Sequence, residues 1–186
     1  HPLEDIELPP YKADDFDDIP AIGRRMGERH IKHIRESGKW KEAVQGCLAA
    51  ESVADACVGH VLDALEKSRY RDNTIVVLWG DHGWHLGEKQ HWRKHALWET
   101  TTRTTLIISA PGQLQKNLLC WRPVSLIDLY PTLVELCGLP SRNGLDGHSI
   151  VPLLQDPKKE WKRPVLITYD QGNHAVRTER WRYIRY

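Results

Sequence analysis

The chain has 186 residues, 40% of them apolar and 27% charged, which is ordinary for a globular protein with a sizeable core. A net charge of +1 excludes a strong field drawing it to nucleic acid or to an anionic membrane. No apolar run approaches the roughly 20 residues that a membrane span needs. Four cysteines (Cys47, Cys57, Cys120, Cys137) form no C-x-x-C pair, so a zinc ribbon has no support. The sequence opens at His1-Pro2 without an initiator Met and stops inside an expected strand. Part of a longer protein is therefore expected, with any targeting segment outside these residues.

Residues 1–20 are rich in Pro and Asp and predict an extended surface loop. Asp14, Asp15, Asp17 and Asp18 lack the central Gly and terminal Glu of an EF-hand, so they do not read as a calcium loop. Residues 40–67 predict the clearest helix, with Val44, Cys47, Leu48, Ala54, Cys57, Val58, Val61, Leu62 and Leu65 on one apolar face. Cys47 and Cys57 are expected as small buried hydrophobes on that face. Thr74–Trp79 is an unbroken β-branched run, expected to be buried on both faces as in a parallel sheet. A segment rich in Gly, His and Trp follows over residues 80–98, then a strand at Thr105–Ser109. Residues 125–137 predict a helix stopping before Gly138, with Pro131 kinking it or marking its first turn. A short helix is expected at Ile150–Leu154, a strand at Val165–Tyr169, and an antiparallel pair at Ala175–Arg177 and Tyr183–Arg185. Arg177, Arg180, Arg182 and Arg185 alternate with aromatic residues and suggest a strand with one charged face.

The chemistry is concentrated in Trp79-Gly80-Asp81-His82-Gly83-Trp84-His85-Leu86-Gly87-Glu88. Open α/β sheets place their sites beyond the carboxyl ends of strands, where Asp81 and His82 emerge. A carboxylate beside an imidazole can hold a divalent metal, and Gly83 is expected to allow a tight turn. The same two residues also occur commonly as a helix N-cap and a core histidine. Lys94 lies thirteen residues beyond Asp81, and an ammonium near a metal suits an anionic substrate. Four His fall within residues 82–95, out of ten in the whole chain, which favours the functional reading.

The run IVVLWGDHGWHLGEKQHWRKHALWE resembles the second signature region of the sulfatases of the alkaline phosphatase superfamily. It carries Asp81, His82, Gly83, Leu86, Gly87, Glu88 and Lys94 in that family's order, and the D-H-G-W form is similar to the iduronate-2-sulfatase and choline-sulfatase-like branch. Ile108–Gly112, Arg122–Pro140, Asp146–Leu154 and His174–Tyr186 resemble further family segments, so the likeness covers about residues 40–186.

The resemblance implies an α/β fold. Residues 1–155 would be the C-terminal part of the catalytic domain, a partial alkaline-phosphatase-like layered sheet with flanking helices. Residues 156–186 would start a small C-terminal antiparallel sheet. It implies that Asp81 and His82 bind calcium, or magnesium as in some members, although calcium ordinarily prefers oxygen ligands. It implies that Lys94 contacts the sulfate as a catalytic and substrate-binding residue. His85, His91, Arg93 and His174 fall in matching regions, and His85, Arg93 and His174 are carried as substrate-binding candidates. The family's nucleophile is a formylglycine made from Cys or Ser in a C/S-x-P-x-R motif, expected in an N-terminal part outside these residues, as is an Asp-Asp pair of metal ligands. Cys137-Gly-Leu-Pro-Ser-Arg142 has one residue too many between Cys and Pro, and Cys137 reads as structural.

The implied function is sulfate ester hydrolysis by the full-length protein on a sulfated small molecule or sulfated carbohydrate, the chain alone being inactive. The partner expected is the missing N-terminal part. The family is often periplasmic, secreted or lysosomal. Two alternatives stay open: a phosphodiesterase or phosphonate hydrolase of the same superfamily, and a non-catalytic sulfatase-like module. A fragment of the sheet would leave apolar edge surface exposed.

Overall fold

The computed structural model describes the backbone of residues 1–186 and every side chain except those of Glu28 and Arg29. In chain order the elements are α1 (Ala21–Glu36), α2 (Trp40–Glu66), β1 (Val76–Trp79), β2 (His85–Leu86), β3 (Trp92–Arg93), α3 (Glu99–Thr102) and β4 (Leu106–Ser109). They continue as α4 (Leu129–Leu136), α5 (Val151–Gln155), β5 (Val165–Thr168), β6 (His174–Arg177) and β7 (Arg182–Arg185). The chain divides into two compact units, residues 1–71 with 82–104 and Tyr186, and residues 72–81 with 105–185. Among the described residues no helix is long and apolar enough to cross a membrane.

In the first unit, Ile6, Ile31, Val44 and Trp92 form a buried cluster joined by Trp40, Cys47, Leu48 and Leu86. It draws on the N-terminal segment, α1, the start of α2 and the β2–β3 hairpin. The Trp40 indole N–H donates to the Leu86 carbonyl at 2.6 Å, so a large half-buried aromatic packs with its polar edge satisfied. The acid-rich N-terminal segment is not simply a surface loop, because Ile6, Phe16 and Ile19 are buried. Its acids have a structural use: Asp15 accepts an ion pair from Lys89 at 2.6 Å, and Gln90 donates to the carbonyls of Lys12 and Ala13. Helix α1, which opens after Pro20, was not foreseen; Ile31 and Ile34 give it its buried stripe.

Helix α2 has the expected bounds, but only its first third packs. Val44 is buried and Cys47 half-buried, whereas Val53, Cys57, Val61 and Leu62 are exposed. The expectation of a buried Cys57 is thus corrected: helical periodicity marks an apolar face, and among the described residues Cys57 is left exposed on the later turns.

In the second unit β1 pairs antiparallel with β4, Val76 opposite Ser109 and Trp79 opposite Leu106. This corrects the parallel, doubly buried reading of the Thr74–Trp79 run. Leu78, Trp79 and Ile107 are exposed. Ala110, Leu136 and Val151 form the core here, with Ile75, Ile108, Leu114 and Leu154 against it. β5, β6 and β7 form an antiparallel sheet in sequence order, with Ala175 fully buried. Arg182 and Arg185 lie three residues apart on β7 and so face opposite sides, which corrects the single charged face.

The L-I-D-L-Y-P-T-L segment builds a pinned corner. A 3₁₀ turn at Leu126–Asp128 leads into α4, and Pro131 sits in the first turn of that helix, where its missing N–H costs nothing. The buried Asp128 carboxylate accepts from the backbone N–H of Ser125 at 2.9 Å and of His148 at 2.8 Å. Thr132, fully buried, donates to the Asp128 carbonyl at 2.6 Å and accepts from the Ile150 N–H at 3.0 Å. A Cβ on Gly147 would lie 2.1 Å from the Ile127 carbonyl oxygen, so only glycine lets the D-G-H-S-I segment lie this close.

Candidate functional site

Beyond β1 the Gly80 N–H donates to the Thr105 carbonyl, prolonging the pairing with β4 up to the motif. Asp81 follows as an exposed bend residue and starts no helix, so the N-cap alternative for it falls away. Asp81 is the last residue of its stretch in the second unit, and His82 opens the stretch 82–104 of the first.

His82 is half-buried, with Nδ1 3.0 Å from the Gly83 carbonyl oxygen. A proton on Nδ1 donated to that carbonyl leaves Nε2 with the lone pair, the form that ligates metals. Gly83 does not take a positive φ, so the tight-turn expectation is replaced by a packing reason. Its Cβ would sit 2.0 Å from the Thr100 carbonyl oxygen and 2.8 Å from that of Arg103, and its N–H donates to the Thr101 carbonyl at 2.6 Å. Glycine is required because backbone meets backbone here.

Trp84 lies 6.2 Å from the His82 ring at a 32° tilt, and the Arg93 guanidinium carbon is 6.0 Å from the Trp84 ring. The structure thus gathers His82, Trp84 and Arg93 in one neighbourhood. Trp84 was not singled out from the sequence; its place directly after D-H-G was the available signal. Leu86 and Trp92 pair across the hairpin, as do His85 and Arg93. Gly87, at φ +138°, lies against Trp40, where a Cβ would come within 2.2 Å of the indole. The Leu86 N–H is held by the Glu88 carboxylate at 2.8 Å. The L-G-E triplet is therefore the fastening of the hairpin to the first unit's core.

Lys89, Gln90 and Arg93 have φ of 54°, 47° and 81°. Three non-glycine residues in the left-handed region within five positions is costly, and such strain collects at functional segments. Lys94 follows directly and is half-buried; the described residues give its side chain no hydrogen bond or ion pair.

His85 and His91 are buried, with ring centroids 4.8 Å apart in an edge-on arrangement. His85 Nδ1 is 2.7 Å from the Thr101 hydroxyl, a partner that the sequence did not reveal. Burial lowers His85 to about 4, against the opposing pull of Glu88. Burial, with His85, His30 and His95 nearby, lowers His91 to about 3. Both are neutral imidazoles at ordinary pH. His174, on β6 of the second unit, has Nδ1 3.0 Å from the Thr168 hydroxyl and is half-buried. Cys137 is an exposed free thiol at the end of α4. Among the described residues no group of three or more His, Cys, Asp or Glu side chains is arranged to hold a metal.

Comparison with known proteins gives this arrangement a family. The sequence profile described as Sulfatase matches residues 9–139. A protein named Sulfatase from Formosa agariphila is 41% identical over 190 residues, covering 100% of this chain and 37% of that protein. Arylsulfatase K of Bos taurus is 30% identical over 174 residues, covering 87% of this chain and 30% of the relative. A solved protein in complex with its substrate D-glucosamine-2-N,6-O-disulfate aligns with a TM-score of 0.68 and 26% identity, covering 80% of this chain and 32% of that one. A 2-O GAG sulfatase aligns with a TM-score of 0.76 and 20% identity over 96% of this chain and 43% of that one, a likeness of fold. The chain spans 37% and 30% of the two curated relatives named here. From the profile over residues 9–139 and the 41% identity across its whole length, the chain belongs to the sulfatase family.

Proposed function

We propose that the protein containing this chain hydrolyses a sulfate ester on a carbohydrate or other small molecule, with the segment from Asp81 to Lys94 as its contribution to the active site. The observation that carries this reading is the D-H-G-W…L-G-E…Lys94 series in a chain that belongs to the sulfatase family. Residues 1–155 would belong to the catalytic α/β domain and 156–186 to the start of the C-terminal subdomain.

In this reading Asp81 and His82 are two donors to a calcium ion, or to magnesium. Their chemistry fits a part of such a site: Asp81 offers an exposed carboxylate, and His82, with Nδ1 against its neighbour's carbonyl, offers Nε2. Calcium takes about six to eight ligands, so the remaining donors must come from elsewhere in the protein. The bound cation would supply charge stabilisation at the sulfate oxygens, and a formylglycine outside these residues would supply the nucleophile. Lys94 would hold a sulfate oxygen, its ammonium balancing charge that builds as the ester bond breaks. Arg93 and His174 are proposed to contact the rest of the substrate. His85, fully buried, is proposed to act by fixing the hairpin that carries Arg93 and Lys94.

A second reading, a phosphonate or phosphate ester hydrolase, draws support from a phosphonate monoester hydrolase of Silicibacter pomeroyi that aligns with a TM-score of 0.62 and 25% identity. Assaying the complete protein on matched aryl sulfate, phosphate diester and phosphonate monoester substrates separates the two. Preference for the sulfate ester is expected, and preference for the phosphonate would overturn the first reading.

A further inference from the structure

The second unit holds a cleft of about 710 Å³ that contains none of the residues from Asp81 to Lys94. Its size falls within the range of sites for small ligands. Helix α4 gives one wall, through Glu135 among others, the 139–149 segment gives another with Arg142 and His148, and Trp161 and Arg163 close it. The walls are fixed in place: the 147–150 stretch is pinned to α4 by Asp128 and Thr132, and Gly147 lies against the Ile127 carbonyl.

The electrostatics of this cleft are unbalanced. Arg142 and Arg163 face one acid among the lining residues, Glu135. Arg163 Nη1 is buried, with no hydrogen-bond partner among the described residues. Asp128, which does not line the cleft, lies in electrostatic reach of Arg163, and its carboxylate accepts the backbone N–H groups of Ser125 and His148. Arg163 also lines the cleft, and a guanidinium there can give an entering oxyanion a charge-assisted bond. Arg142 is exposed and donates to the Tyr130 hydroxyl at 3.4 Å, a long bond that an anion in the cleft can replace. The Arg163 guanidinium carbon stands 6.0 Å from the Trp161 ring, which sets a flat aromatic face beside the cationic centre. A cation beside an aromatic plate suits a ligand carrying an anionic group on a ring with an apolar face.

We propose that this cleft is a binding site for an anionic sugar, with Arg163 and Arg142 taking its sulfate or carboxylate group and Trp161 stacking on the ring. The site does not depend on the catalytic reading, since binding here requires neither Asp81, His82 nor Lys94.

The test is calorimetric titration of the protein with D-glucosamine 6-sulfate, D-glucosamine and inorganic sulfate. Arg163→Gln, Arg142→Gln and Trp161→Ala variants are compared with Lys94→Ala. The sulfated sugar is expected to bind, and each cleft substitution to weaken it by roughly ten- to hundredfold, while Lys94→Ala leaves this binding in place. Circular dichroism checks folding, and the exposed Arg142→Gln variant keeps the test decisive if Arg163→Gln does not fold. Absence of binding by the unsubstituted protein would overturn the proposal. So would binding that Lys94→Ala abolishes and the cleft variants do not. Inorganic sulfate binding as well as the sulfated sugar, with no effect of Trp161→Ala, would overturn the sugar assignment and leave a simple anion site.

Discussion

Replacing Gly83 with alanine tests the most constrained position of the D-H-G motif. The added Cβ would lie 2.0 Å from the Thr100 carbonyl oxygen and 2.8 Å from that of Arg103, both backbone atoms that cannot rotate aside. Relief requires one strand of backbone to move, a cost of the overpacking kind, about 1–3 kcal/mol. The movement also stretches the 2.6 Å bond from the Gly83 N–H to the Thr101 carbonyl, adding about 1 kcal/mol. Gly83→Ala should therefore destabilise the protein by about 2–4 kcal/mol. Gly46→Ala is the control: it lies in α2 with nothing within 4 Å of the new Cβ, and alanine there should stabilise by up to about 1 kcal/mol. Urea unfolding followed by far-ultraviolet circular dichroism measures both. A Gly83→Ala variant within about 0.5 kcal/mol of the parent would refute the close-packing explanation.

Two further expectations follow from buried polar groups. His85 and His91 are held neutral to about pH 4 and 3, below the ordinary 6.5. Above 6.5 neither folded nor unfolded chain is protonated at these rings; below it the unfolded chain takes up protons that the folded one refuses. Stability should be full above pH 6.5 and fall as the pH drops, by about 2 kcal/mol per imidazole at pH 5. Urea midpoints between pH 7.5 and 5 measure this, and a flat profile contradicts it. Asp128→Ala removes the acceptor of two backbone N–H groups at a buried position, so a loss of about 2–4 kcal/mol is expected. Thermal unfolding measures it, and an unchanged midpoint would show that the corner at 125–150 is held by other means.

Where a segment supplies its own partners, its structure could be read from the sequence. The α4 helix, the α5 turn and the β5–β7 sheet lie close to their expected positions because local hydrogen bonds and period-two alternation define them. Features that depend on distant chain were hidden. The apolar face of α2 reads identically before and after Cys47, yet the buried cluster with Ile6, Ile31 and Trp92 takes the start of the helix, while Val53, Val61 and Leu62 are exposed. The β2–β3 hairpin was missed because its strands are two residues each, held by Trp40, Gly87 and Glu88 rather than by propensity. The candidate site was visible as a string of residue types, Asp81, His82 and Lys94. Thr101 against His85 and Trp84 beside Arg93 appear only once the chain is folded.

The most direct measurement is calcium content and aryl sulfate hydrolysis of the complete protein bearing Asp81→Ala or Lys94→Ala. Asp81→Ala should lose both bound calcium and turnover. Lys94→Ala should keep the metal and lose turnover by about 10²–10³-fold, as expected when a charge-stabilising group is removed. Full calcium occupancy and undiminished hydrolysis in both variants would contradict the assignment of this segment to the active site.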